Sequence, residues 1–140
     1  MFRNLGFAVV VAVLGSACSS TLQYAVPGTE RAVGADAEIV ANVNPDNNIT
    51  KFDIRASHLP PPARVVEGAD TFVVWARRDS SQPWTRVGSL KYDPGARSGE
   101  MLEASVPETG FELIISAEVG GTPGSPSNDV VFSQVVERGS

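Results

Sequence analysis

From Ala37 onward, apolar residues recur at every second position and turn-forming residues recur about every ten, and few folds satisfy both periods at once. The stretch "TKFDIRA" is the clearest case: Thr50, Phe52, Ile54 and Ala56 fall on one face and Lys51, Asp53 and Arg55 on the other. That alternation describes a strand with one wet side. "GFELIISAE" repeats it, with Phe111, Leu113, Ile115 and Ala117 inward and Glu112, Ser116 and Glu118 outward, Ile114 being the exception. "TFVVWAR" is apolar on both faces and reads as a central strand. Further strands are predicted over 38–44, 85–92, 100–106 and 129–136. Between them lie "NPDNN", "HLPPPARVVEGAD", "RDSSQP", "DPGARSG", "PETG" and "GGTPGSPSN", all rich in residues that suit turns. About seven strands with no amphipathic helical pattern after residue 20 predict an all-β fold, an antiparallel immunoglobulin-like β-sandwich. A small barrel also satisfies the periodicity. Trp75, on the central strand, is expected to be the large residue around which the sandwich packs.

The first seventeen residues follow a different plan. A short segment carrying Arg3 leads into "LGFAVVVAVL" and then into the small residues Gly15, Ser16 and Ala17, the three parts of a secretory signal peptide. The apolar part covers residues 5–14, well short of the roughly 20 residues a spanning helix needs. Cys18, the sole cysteine of the chain, follows directly and is itself followed by the polar "SSTLQ". This arrangement resembles a bacterial lipoprotein signal, in which such a cysteine is acylated and becomes the new N-terminus. The usual motif has an aliphatic residue three positions before the cysteine, whereas Gly15 stands there and Leu14 lies one position earlier. Gly15 and Ala17 also suit an ordinary signal peptidase, which would release a soluble periplasmic or secreted protein. Several acyl chains give stable anchoring where one does not. Ser19 resembles the residue found in lipoproteins sorted to an outer membrane. The expected organisation is therefore a signal peptide over 1–17, a tether over 18–36 with a short strand at "LQYAV", and a β-sandwich domain over 37–140.

Two blocks, "TFVVWARRDSSQPWTRVGSLKYD" and "FELIISAEVGGTPGSPSNDVV", resemble the C-terminal extracytoplasmic domain of anti-sigma-K-type regulators. The residues that carry the resemblance are Phe72 and Trp75, Gly88 and Leu90, then Glu118, Gly120, Gly121, Pro123 and Pro126, within residues 70–132. It implies a β-sandwich outside the cytoplasm. Sigma-factor binding does not carry over, because neither the family's helical sigma-binding part nor its membrane-spanning helix is found in this sequence.

Chemistry-bearing residues are sparse. With one cysteine there is no internal disulfide, and with one histidine no four-ligand Cys/His zinc cage, so neither metal nor cofactor is expected. His58, in "SHLPPP", has no G-x-S-x-G elbow to serve and reads as a strand-end residue. "NVNPDNN" offers oxygen ligands but lacks the spacing of a calcium loop, and reads as a hairpin turn. The pairs Glu100/Glu103 and Glu108/Glu112 read as a solvated face, and the triple proline at 60–62 as a stiff crossover. Sixteen acidic residues against eleven basic ones, with only Arg77 and Arg78 adjacent among the latter, make nucleic acid and anionic surfaces poor partners. Trp84, following Pro83 at a loop-to-strand boundary, reads either as a binding hot spot or as a ring folded over the sandwich edge. With Arg77 and Arg78 it forms the candidate partner-binding loop.

These readings point to a non-enzymatic binding or structural domain, lipid-anchored through Cys18 in the bacterial cell envelope. The expected place is the outer membrane facing the periplasm, with a protein or glycan partner. An exported hydrolase or carbohydrate-active enzyme with dispersed carboxylates is the second expectation, and a sensor-type accessory of envelope signalling the third.

Overall fold

A computed structural model describes residues 20–120 and 123–137 of the chain. The segment expected to be a signal peptide, Cys18 and Gly121 lie outside those residues. Nine strands form two antiparallel sheets: β1 (Ser20–Pro27), β2 (Asp36–Asn44), β3 (Ile49–Ser57), β4 (Thr71–Arg77), β5 (Thr85–Ser89), β6 (Lys91–Asp93), β7 (Ser98–Val106), β8 (Gly110–Glu118) and β9 (Val130–Glu137). The first sheet has the order β1-β2-β3-β7-β6 and the second β5-β4-β8-β9. A one-turn helix α1 (Pro62–Val65) and a 3₁₀ turn at Glu30–Ala32 are the only helical pieces among the described residues.

The alternation in the sequence is what packs the sheets together. Ala37, Ile39, Ala41 and Val43 of β2 and Thr50, Phe52, Ile54 and Ala56 of β3 are all buried, as are Phe111, Leu113, Ile115 and Ala117 of β8. Phe52 and Phe111 meet across the sandwich with ring centroids 5.9 Å apart, and Phe72 meets Tyr92 edge-on at 5.5 Å. Tilted and edge-on contacts of this kind avoid the face-to-face sandwich that the ring quadrupoles disfavour. Thr50, buried among them, donates its hydroxyl to the carbonyl of Glu108 at 2.7 Å, so no polar atom is stranded there.

Three expectations change. Trp75 is fully buried but not between the sheets. On β4 the inward positions are Phe72, Val74 and Ala76, and Trp75 belongs to a second cluster with Val73 and Ile114 on the outer face of the second sheet. The stretch 85–92 is not one strand. It crosses from the second sheet to the first at Leu90, which is buried and donates its amide to the Phe72 carbonyl at 2.9 Å. Finally, the short strand at "LQYAV" extends to all of Ser20–Pro27 and pairs with β2 without a register break.

Two hairpins use one turn chemistry. In the β2–β3 turn the Asn44 side chain accepts from the amides of Asp46 and Asn47, and in the β6–β7 turn the Asp93 carboxylate accepts from those of Gly95 and Ala96. Each loop then closes through a residue in the left-handed region, Asn48 (φ 53) and Arg97 (φ 54). Of the oxygens of "NVNPDNN", that of the Asn44 side chain is thus held by two backbone amides, and that of the Asn42 side chain accepts from the Thr21 hydroxyl at 2.7 Å. A third left-handed residue, Glu103, marks a bulge in β7, where its amide is held by Asp53 Oδ1 at 2.7 Å.

Candidate functional site

The outer face of the second sheet carries the most built arrangement of polar and aromatic groups. Strands β4 and β8 run side by side with Arg77 opposite Glu112, Trp75 opposite Ile114 and Val73 opposite Ser116. Arg77 Nε donates to Glu112 Oε1 at 2.8 Å, a charge-assisted bond between two side chains that are each only partly exposed. The Arg77 guanidinium also lies 4.1 Å from the centroid of the Trp84 ring, within cation–π range. Trp84 in turn is half-buried against the Val73, Trp75 and Ile114 cluster. Glu112, Arg77 and Trp84 therefore form a stack that leans on an apolar floor.

From the floor, along the same outer face, runs a polar chain. Trp75 Nε1 donates to Ser116 Oγ at 2.9 Å, Ser116 donates onward to Glu118 Oε2, and the same carboxylate oxygen accepts from the amide of Ser127 at 2.8 Å. Ser116 and Glu118 are buried. Ser127 also donates its hydroxyl to the Ala117 carbonyl at 3.0 Å. The network ties the segment before β9 down over β8, which is how an aromatic residue on an outward-facing position comes to be shielded from water. Burying Glu118 is tolerable because its carboxylate is hydrogen-bonded.

Arg78 turns away from Trp84. Its guanidinium pairs with Glu108 through Nε at 3.1 Å and Nη2 at 3.4 Å, and that bond raises the Arg78 pKa. Asp79, next in the chain, accepts from the hydroxyl and amide of Ser81, which lowers its pKa and pins the turn into β5. Between this turn and the start of β8 lies an open cavity of about 300 Å³ lined by Arg77, Arg78, Pro83, Val87 and Glu108 among others.

Of the expected partner-binding residues, then, the fold brings Arg77 and Trp84 together and gives Arg78 its own carboxylate. The ring of Trp84 is folded onto the sheet while keeping part of its surface to solvent. The sequence reading missed that Glu108 and Glu112, taken as solvated acids, are the partners of the two arginines. It also missed the Trp75–Ser116–Glu118 chain, whose only trace in the sequence is the apolar Ile114 at an outward position. His58 is exposed at a left-handed position (φ 55) with Nδ1 3.2 Å from Asp36 Oδ1. Among the described residues no three His, Cys, Asp or Glu side chains converge as a metal site would require.

No family model, curated protein or solved structure matches the chain. Among the described residues no helix is long and apolar enough to cross a membrane.

Proposed function

We propose that the protein is a bacterial envelope lipoprotein, anchored through acylated Cys18, whose sandwich serves as a non-enzymatic binding or structural domain. The observation that carries the reading is the position of Cys18, at the end of the apolar run and with only Ser19 between it and the first strand. Two residues of extended chain reach at most about 7 Å. An acylated Cys18 would thus hold β1 close to the bilayer surface, with a far shorter tether than 18–36. The proposed setting is the outer membrane on its periplasmic side, in line with Ser19 after the cysteine.

The sandwich itself we take to be of immunoglobulin-like type. Strands β2-β3-β7-β6 follow the A-B-E-D order of such domains and β4-β8-β9 the C-F-G order, with β5 added beside β4 and β1 beside β2. It departs from antibody domains in lacking the cysteine pair and in turning the tryptophan of β4 outward. The partner surface in this reading is the Glu112–Arg77–Trp84 stack, where an aromatic ring and a guanidinium offer planar groups to a protein or glycan.

Metabolic labelling with a palmitate analogue tests the anchor. The wild-type chain is expected to take up label and to sediment with membranes, and Cys18→Ser to do neither. Absence of label from the wild type, or its persistence in the variant, would remove the lipoprotein reading.

A further inference from the structure

The free side of β1 is the least protected edge among the described residues. The amide of Gly28 bonds the carbonyl of Ala35 at 2.8 Å and so continues the β1–β2 register, in which Pro27 faces Asp36. Hydrogen-bonded positions alternate along an antiparallel ladder. Ser20, Leu22, Tyr24 and Val26 therefore bond to β2, and the backbone groups of Thr21, Gln23 and Ala25 point away from it. No described group bonds to those outward amides and carbonyls. Pro27, which has no N–H to offer, sits on the same outward side, where edge strands accept proline.

The other edges are defended in ways edge strands commonly are. Along β9, Thr29 bonds the carbonyls of Val130 and Val131, and the Tyr24 hydroxyl meets the backbone N–H and C=O of Glu137. β5 and β6 have five and three residues and carry Arg86, Lys91 and Asp93. By contrast β1 has eight residues, pairs with β2 without a bulge, and has no charged side chain.

We propose that β1 pairs antiparallel with β1 of a second copy of this chain, making one continuous sheet from the two five-stranded sheets. The strand is self-complementary in one register. With Gln23 facing Gln23 of the other copy on the two-fold axis, Thr21 faces Ala25 and Ala25 faces Thr21, so all the outward backbone groups of these residues find partners. Three such pairs exchange about six hydrogen bonds. Between them Leu22 faces Tyr24 of the other copy twice, at the closely spaced positions where an aliphatic and an aromatic side chain stabilise a sheet. Both are half-buried and already packed on the core in one protomer. At the axis the two Gln23 carboxamides supply donor and acceptor to each other. A two-fold contact needs only one surface that complements itself, and this register provides it without opposing like charges.

The pairing does not depend on the lipid. In this register Ser20 of one copy lies about 20 Å from Ser20 of the other, at roughly 3.3 Å per residue over the six residues from position 20 to position 26.

Cysteine cross-linking of the full-length chain in cells tests the register. Cα atoms at a hydrogen-bonded pair stand about 5.5 Å apart, within disulfide reach. Under mild oxidation, Gln23→Cys is expected to form a covalent homodimer at least tenfold above Val135→Cys, an exposed position on the β9 edge. Differently tagged Thr21→Cys and Ala25→Cys chains, co-expressed, should cross-link to each other at least tenfold more than either does to itself. Gln23→Lys, a change at an exposed side chain, should halve the sedimenting mass of the purified chain while leaving the far-UV spectrum of a folded β protein. Equal cross-linking at positions 23 and 135, no preference of 21 for 25, or a Gln23→Cys adduct with a different protein would each overturn the proposal, as would an unchanged mass for Gln23→Lys.

Discussion

Trp75 Nε1 donates to Ser116 Oγ at 2.9 Å on the outer face of the second sheet, where both residues are fully buried. The hydroxyl sits between the indole N–H and the Glu118 carboxylate, so it satisfies a donor and an acceptor at once. Ser116→Ala strands the indole N–H and takes one bond from a buried carboxylate. A loss of about 1–3 kcal/mol is expected in urea unfolding. Ser133→Ala, at an exposed outward position on β9, should stay within about 0.5 kcal/mol of wild type.

The Glu112–Arg77–Trp84 stack predicts a measurable coupling between the last two. In a double-mutant cycle of Arg77→Ala and Trp84→Ala, the interaction energy should come to about 0.5–1 kcal/mol, as for a partly exposed cation–π pair. A cycle that closes at zero would reduce the 4.1 Å contact to coincidence. Each single variant should retain the far-UV spectrum of a β protein, because neither side chain lies between the sheets.

Gly28 links β1 to the 3₁₀ turn where no side chain fits. A Cβ there would stand 2.1 Å from the Ala32 carbonyl oxygen, a backbone atom that cannot rotate away. Gly28→Ala is expected to destabilise by about 1–3 kcal/mol or more. At Gly124 a Cβ meets nothing within 4 Å, and Gly124→Ala should leave the melting temperature nearly unchanged.

Tyr92 predicts a pH dependence with a definite sign. Burial raises its pKa, and its hydroxyl donates to the Leu59 carbonyl at 2.6 Å. A raised folded value means that the stabilisation is fully present below the ordinary tyrosine value near 10 and is lost as pH rises through the higher folded value. Tyr92→Phe should therefore cost about 1 kcal/mol at neutral pH, and the gap to wild type should close above pH 10. A gap that stays constant into the alkaline range would contradict this account.

Much of the sheet structure was legible because burial on one face writes itself into alternate residues. β3 and β8 could be read from Phe52, Ile54, Phe111 and Leu113, and β4 from its apolarity on both faces. The same apolarity could not say which face Trp75 takes. That choice depends on Ser116, Glu118 and Ser127, which lie 41 or more positions further along the chain and become neighbours only after β4 pairs with β8. The crossover at Leu90 was hidden for a similar reason, since 85–92 reads as one continuous strand and only the sheet partners divide it. Charges were the least legible part of the candidate site. Nothing local marks Glu112 as the partner of Arg77, because that pairing follows from the β4–β8 register. The exposed edge of β1 left one trace, its lack of charge, in a stretch that otherwise reads as tether.

The most direct test of the proposed anchor is the intact mass and N-terminal sequence of the mature protein isolated from its native membrane. The account predicts a chain that begins at Cys18 and carries the added mass of several acyl groups, on an N-terminal peptide that extraction into organic solvent enriches. An unmodified chain beginning at Cys18 or at any other residue would contradict it.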